Sequence, residues 1–178
     1  MAETVTRRER EAFAGTVLRE GLLGGLVAGA VFALAQMLLA LATGASALLP
    51  WALFASILLG QGALAAPLNL SIFIVGFAVH FVLSSLFGLL WGAIAKSVAP
   101  SVRDHFGPHA IAAMIYGLIL WLVNFQIIAR VVYPWFLDAR PLAQLFLHVL
   151  AYGLPLGLYL CARLRPLDRL PARRRATA

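Results

Sequence analysis

The chain alternates between long apolar runs and short polar stretches. Runs long enough to cross a bilayer, which takes about 20 residues, cover residues 21–43, 72–95, 110–132 and 142–162. A shorter apolar run lies between the first two, with Pro50 suited to begin a helix and Gly60 suited to end one. The pattern predicts an all-α fold, a four-helix transmembrane bundle with a short interfacial or re-entrant helix between spans 1 and 2, and Trp51 at headgroup depth.

A cleaved signal peptide is the alternative interpretation of the first run, because Ala45, Ser46 and Ala47 resemble a small-residue cleavage site. The run exceeds the apolar core of an ordinary signal peptide, which has about 7 to 15 residues. We therefore expect a retained helix. The organisation predicted is a charged cytoplasmic lead (1–18), a four-span membrane bundle (19–163) and a basic cytoplasmic tail (164–178).

Composition agrees with a membrane location. Apolar residues make up 62% of the chain and charged residues 12%, whereas soluble domains are roughly half apolar and about a quarter charged. The single cysteine, Cys161, cannot form an internal disulfide, and the absence of a CxxC pair excludes the common zinc and redox motifs.

Basic residues predict the orientation. They lie before the first span, in the connection after the second and in the C-terminal tail: Arg7, Arg8, Arg10, Arg19, Lys96, Arg103, Arg163, Arg165, Arg169, Arg173, Arg174 and Arg175. By the positive-inside rule both termini are cytoplasmic, and we expect a bacterial inner (plasma) membrane. The net charge of +7 is better explained by topology and lipid headgroups than by nucleic acid, for which the chain offers no fold.

Small residues recur every four positions on the predicted helices. Such stripes let helix backbones approach closely where lipid supplies no hydrophobic driving force. They predict a tight bundle, a homo-oligomer or a membrane-protein partner. The residues are Gly21, Gly25 and Gly29 on span 1, Gly88 and Gly92 on span 2, Gly117 on span 3, and Gly153 and Gly157 on span 4.

Two histidines stand near the outer ends of spans 2 and 4. His80 shares a helix face with Ser84 and Gly88, and His148 shares one with Gln144 and Tyr152, because residues four apart face the same way. Both imidazoles are therefore expected to face the bundle interior. With a rise of about 1.5 Å per residue they lie at a similar depth. Span 3 adds further polar residues at its outer end, namely Asn124, Gln126 and Arg130.

The paired histidines have two interpretations. As ligands they would hold a b-type haem, with Arg130 near a propionate. As structural groups each would donate its ring N–H to a carbonyl or polar side chain of a neighbouring helix. We favour the structural interpretation, because an intramembrane ionisable group indicates a function only when its partner is named.

The remaining polar residues offer little chemistry. His105 and His109 fit a solvated loop between spans 2 and 3. Residues 21–43, 72–95, 110–132 and 142–162 contain no Asp or Glu, which argues against a proton-coupled transporter. No catalytic motif and no metal-ligand cluster is present in the sequence, so an enzyme is not favoured.

Three stretches carry a family resemblance: "GLLGGLVAGAVFALAQMLLAL", "HFVLSSLFGLLWG" and "HVLAYGLPLGLYL". Over about residues 20 to 165 the chain resembles an uncharacterised family of small four-span bacterial inner-membrane proteins. The resemblance implies the four-span fold and no activity. The function expected from the sequence is a non-catalytic subunit or assembly partner of a larger inner-membrane complex, such as a respiratory one. A haem-carrying electron-transfer subunit and a small transporter or channel are the alternatives.

Overall fold

The computed structural model describes residues 2–95 and 97–168, and the side chains of residues 14–95, 97–99 and 101–164. The described chain is helical and confirms the predicted all-α fold, with four helices suited to cross a membrane and a shorter one between the first two. We name them α1 (Ala2–Ala42), α2 (Leu49–Leu59), α3 (Leu70–Ala95), α4 (Phe106–Val131) and α5, which begins at Pro141 and ends at Asp168.

The membrane-spanning parts are Ala14–Ala42, Leu70–Ala95, Phe106–Val131 and Pro141–Leu164. Their length and hydropathy identify an integral membrane protein. The first and third spans begin earlier than the sequence pattern predicts, which brings Glu20 and His109 into membrane helices. The predicted topology signals at Lys96 and in the tail beyond residue 168 lie outside the described residues, and so do the side chains of the basic residues before Ala14 and of Arg165.

The spans form two antiparallel pairs, which we call hairpin A (α1 and α3) and hairpin B (α4 and α5). The two hairpins pack together mainly through α1 and α5. The end of the bundle that holds Ala14 and Leu164 is called the terminal end, and the end that holds α2 is called the loop end. Each helix therefore has one close neighbour within its hairpin, and α1 and α5 also form the centre of the bundle.

In hairpin A the contact between α1 and α3 is formed by glycines. A Cβ added to Gly21 would lie 2.7 Å from the carbonyl oxygen of Gly88, and one added to Gly25 would meet the carbonyl of Ser84. Gly92 lies against Val17 and Gly21 in the same way. The backbones of α1 and α3 are thus in direct contact at positions where a larger side chain has no room.

In hairpin B fewer glycines lie at the contact between the two helices. A Cβ on Gly117 would meet the carbonyl of His148, and one on Gly153 would lie 2.6 Å from the carbonyl oxygen of Ala113. Gly157 lies against Ala110 and Ala113. Glycines of α5 therefore lie against alanines of α4 toward the terminal end, and a glycine of α4 lies against the backbone of His148 farther along the contact.

Both helices of hairpin B widen into a π-helical turn, at Leu122–Ile128 in α4 and at Leu147–Gly153 in α5. A π turn bonds each N–H to the carbonyl five residues back instead of four, and such turns are frequent at functional sites. Asn124 and His148 lie within these two segments. The described helices of hairpin A contain no such segment.

The short helix α2 packs against α3. Pro50 stands in its first turn, and Gly60 ends it with a positive φ of 76°, which suits glycine. Trp51 is only 6% exposed and packs between Phe73 and Phe77 of α3, where a Cβ on Gly76 would meet the carbonyl of Trp51. The indole is therefore covered by aromatic side chains of α2 and α3, and its position at headgroup depth stays a prediction.

Candidate functional site

His80 lies on the inner face of α3 and is 6% exposed. Its Nε2 is 2.9 Å from the carbonyl oxygen of Gly29 on α1. Because a carbonyl only accepts, Nε2 is the protonated nitrogen of this imidazole. The ring stacks on Phe54 of α2 with 4.3 Å between centroids. The imidazole thus joins α1, α2 and α3 in one contact.

His148 lies on α5 and is 8% exposed. Its Nδ1 donates to the carbonyl oxygen of Gln144, one turn earlier on the same helix, at 2.8 Å. The same carbonyl also accepts the backbone N–H of Leu147, where the α-helical part of α5 gives way to the π-helical segment. The imidazole therefore bonds its own helix at the junction between these two segments. This bond is made within α5, whereas the sequence predicts a partner on a neighbouring helix.

The other nitrogen of His148 faces α4, the first helix of hairpin B. Nε2 is 3.5 Å from Nδ2 of Asn124, so the amide is placed to donate weakly to the imidazole. Phe125, next along α4, contacts the same ring edge-on with centroids 5.8 Å apart. The two π-helical segments therefore meet at a polar pair packed with an aromatic ring.

Phe32 of α1 separates the two histidines. Its ring centroid is 5.9 Å from that of His80 and 5.1 Å from that of His148. The same ring contacts Tyr152, whose hydroxyl donates to the carbonyl oxygen of Ser84 at 2.6 Å. Although both histidines face inward, a buried aromatic side chain fills the space beside them.

These residues do not fit a bis-histidine haem. Coordination by His80 through Nε2 needs a lone pair, and that nitrogen carries the hydrogen donated to Gly29. Phe32 packs against both rings, and Phe54 stacks on His80, so a flat macrocycle has no space there. Arg130 is exposed and bonds Oε1 of Gln126 at 2.9 Å, one turn earlier on α4. The structure therefore does not bring Arg130 to the histidines.

A pair of glutamines ties α1 to α5 near the loop end. Gln36 and Gln144 exchange amide hydrogen bonds of 2.7 and 3.2 Å, and both are buried. Gln144 also donates to the carbonyl of Ala139 at 3.1 Å. Two amides that satisfy each other are well suited to the interior of a membrane bundle, because no water is present to replace the bonds.

At the terminal end a buried carboxylate joins the same two helices. Glu20 of α1 is 3% exposed and receives hydrogen bonds of 3.0 Å from Arg19, from Arg163 and from the hydroxyl of Tyr159. The guanidinium groups are half-exposed or more, so they reach water or headgroups while Glu20 faces α5. The chain thus contains an acidic side chain within its first membrane helix, which removes one argument against proton coupling.

His109 and Trp91 form a further buried pair, where α3 and α4 approach each other near the terminal end. His109 is 2% exposed, in the first turn of α4, so the interpretation as a solvated loop residue is wrong; His105 is exposed. The helix begins at Phe106 and carries His109 inward against Trp91, with ring centroids 5.9 Å apart. Tyr116 stacks on the indole of Trp91, with ring centroids 5.1 Å apart.

Several of these residues escape prediction from sequence, although each leaves a signal. Gln36 stands seven positions after Gly29, on the same inward stripe of α1. Glu20 is the last acidic residue before an apolar run, and Arg163 follows the fourth run. The complementary charges at two helix ends of like depth indicate a pair once an antiparallel contact between α1 and α5 is known.

Comparison with known proteins gives no match: no family model, no curated protein and no solved structure matches the chain. The described residues contain no cluster of three or more potential metal ligands. What the fold and its interior establish is an integral membrane protein with four apolar spans, whose buried polar side chains mostly bond backbone carbonyls or one another within the bundle.

Proposed function

We propose that this protein is a non-catalytic integral subunit, or assembly partner, of a larger membrane complex. The observation that carries the proposal is the filled interior. His80 bonds Gly29, Gln36 bonds Gln144, and Phe32 packs between the histidines. A bundle whose central polar groups are occupied by one another leaves its outer surface as the place of interaction.

The surface of hairpin A supports this role. An apolar groove of about 440 Å³ runs between α1 and α3 and is lined by Leu22, Leu26, Phe77, Phe81 and Leu86, among others. Hairpin B has a smaller groove of about 240 Å³ between α4 and α5. Ridges of a partner's transmembrane helix pack into grooves of this kind. We infer that the occupant of the larger groove is an apolar helix of a partner subunit.

The proposed location is the bacterial inner membrane with both termini cytoplasmic, as the distribution of basic residues favours. A reporter fused after Ala178 is then expected to read cytoplasmic, and one inserted at Gly60 to read external. A cytoplasmic reading at Gly60 would overturn this orientation.

Cross-linking in native membranes tests the partner. A photoreactive residue at Leu86, which lines the groove and is 53% exposed, is expected to give one discrete protein adduct that also co-purifies stoichiometrically in mild detergent. The matched control is Leu38, 66% exposed on α1 and outside the groove lining. Lipid adducts alone at Leu86, with no co-purifying protein, would contradict the proposal.

A visible spectrum tests the electron-transfer alternative. We expect no haem absorbance in protein purified from cells supplied with haem, since the arrangement around His80 and Phe32 does not fit the group. A b-type spectrum lost in His80→Ala and His148→Ala would replace the proposed function with the redox one.

A further inference from the structure

Two buried polar atoms stand without a protein partner within the described part of the chain: Nε1 of Trp91 and Nε2 of His109. Trp91 is 4% exposed and His109 is 2% exposed. Buried polar atoms are nearly always hydrogen-bonded, and an orphan that belongs to a packed interior indicates a bound water or ion. That both belong to rings in contact with each other is the observation to be explained.

Their hydrogen-bonding roles are complementary. Nδ1 of His109 is 2.7 Å from the carbonyl oxygen of Arg103 and therefore carries the hydrogen, which leaves Nε2 of a neutral imidazole as an acceptor. The indole Nε1–H of Trp91 is only a donor. One donor and one acceptor, on rings with centroids 5.9 Å apart and planes at 70°, are unbonded to each other in this arrangement.

We propose that this pair forms a binding site for a single water molecule built into the contact between α3 and α4. The water accepts the hydrogen bond from Trp91 Nε1–H and donates one to His109 Nε2. A buried water needs two to four polar partners, and this site supplies two of opposite sense. A cation is disfavoured because the indole presents a hydrogen atom, and an anion is disfavoured because the imidazole presents a lone pair.

The position of the site gives the water a structural role. Backbones of α3 and α4 approach closely at few points, and the long side chains Trp91, Tyr116 and His109 span the distance. Tyr116 crosses the same contact, since its hydroxyl donates to the carbonyl oxygen of Phe87 at 2.8 Å. The bound water adds a polar link between the hairpins where glycine packing is absent.

Nuclear magnetic resonance of the whole protein in detergent micelles tests the site directly. With labelled indole and imidazole nitrogens, the Trp91 indole proton is expected to show a cross-peak to a long-lived water. Trp121 is the internal control, because its Nε1–H donates to the carbonyl oxygen of Pro141 at 2.8 Å. We expect the Trp121 cross-peak to be absent.

Two variants test whether the Trp91 cross-peak arises from water bound between Trp91 and His109 and not from exchange through a neighbouring group. Tyr116→Phe removes a neighbouring hydroxyl that could relay exchange with water, and the Trp91 cross-peak is expected to persist. His109→Phe removes the acceptor, and the cross-peak is expected to be lost. Since His109→Phe also risks misfolding, the wild-type and Tyr116→Phe spectra decide the matter alone.

Either of two results would overturn the proposal. A scalar coupling between Trp91 Nε1 and His109 Nε2 would show a direct hydrogen bond in place of the water. Absence of both that coupling and the water cross-peak would show that the two atoms are left unpaired.

Discussion

Hairpin A and hairpin B solve the same packing problem in different ways. In hairpin A, Gly21, Gly25 and Gly92 bring two regular α-helices into backbone contact. In hairpin B both helices widen into π turns where Asn124 and His148 face each other. Both pairs close on glycine and both carry a buried histidine, but His80 bonds a carbonyl of the opposing helix, whereas His148 bonds a carbonyl of its own helix. The difference indicates that a helix keeps regular α geometry where its polar side chain bonds across the pair, and contains a π turn where the bond is made within the helix.

The largest expected effect comes from filling the glycine contact of hairpin A. In Gly25→Leu the new side chain meets the carbonyl of Ser84 and the backbone of Gly88. We expect the free energy of unfolding in detergent micelles to fall by about 3 kcal/mol or more, at the upper end of the cost of overpacking. Denaturant titration followed by circular dichroism measures it.

The matched control is Gly15→Leu, where an added Cβ meets nothing within 4 Å and the change is expected to stay within about 0.5 kcal/mol. In hairpin B, Gly117→Leu is expected to cost less than Gly25→Leu, because its obstacle is the carbonyl of His148 in a π turn that can readjust. Equal losses in the two hairpins would remove the distinction between them.

The second effect concerns the charged link between the hairpins. Glu20→Ala removes the acceptor of three hydrogen bonds, two of them from largely exposed guanidinium groups. Since exposed ion pairs contribute little, most of the loss comes from the buried carboxylate and Tyr159, and we expect about 1–2 kcal/mol. Tyr159→Phe, which removes one bond only, is the control and should cost less. Stability equal to wild type in Glu20→Ala would show that the link does not hold α1 to α5.

The third effect isolates the glutamine pair. A double-mutant cycle of Gln36→Ala and Gln144→Ala is expected to give a coupling energy above the average of about 0.6 kcal/mol and up to the maximum of about 1.7 kcal/mol for polar pairs in membrane bundles, because the two amides exchange two hydrogen bonds. Pairing Gln36→Ala with Gln126→Ala is the control, because Gln126 bonds Arg130 on its own helix. A coupling of zero for Gln36 with Gln144 would contradict the bonds of 2.7 and 3.2 Å.

The smallest expected effect on stability, that of replacing each histidine, is the most informative for the comparison of hairpin A with hairpin B. His80→Leu removes one hydrogen bond, and His148→Leu removes one short hydrogen bond and the weak contact with Asn124; we expect each to cost about 1 kcal/mol. Only His148→Leu is expected to shift the backbone resonances of residues 147–153, because its imidazole occupies a carbonyl of its own helix. His80 bonds the carbonyl of Gly29 on α1, so α3 should keep its resonances. Identical backbone responses would show that the π turn does not depend on His148.

Much of the fold follows from local sequence. Apolar run length predicts three of the spans to within about four residues at each end, and misses the start of the first span by seven residues; Pro50 with Gly60 predicts both ends of α2. These features depend on residues close together in the chain, where bilayer thickness and backbone preference decide the outcome. The early start of α4 is missed because His105 and His109 are polar, although His109 is enclosed by α3.

Less of the site could be predicted, because each partner lies far along the chain. His80 is recognisable as inward-facing from its spacing to Ser84, but the acceptor is a backbone carbonyl that any residue at position 29 would supply. Glu20 and Arg163 are 143 residues apart, and nothing local pairs them. The π turns depend on contact between α4 and α5, so a periodic pattern read from one helix does not reveal them.

The pairing of α1 with α5 also has a consequence for biogenesis. Glu20 and Gln36 belong to the first helix to be synthesised, whereas Arg163 and Gln144 arrive 143 and 108 residues later. At a synthesis rate of about 5–20 residues per second, the carboxylate waits about 7 to 29 seconds for its partner. During that interval the carboxylate has Arg19, its neighbour in the chain, but lacks Tyr159 and Arg163, and an incompletely paired acidic group at the edge of the bilayer is costly. Hairpin A therefore remains an incomplete insertion intermediate until the last helix enters, and a chain truncated before α5 is expected to be degraded even though its first two spans are intact.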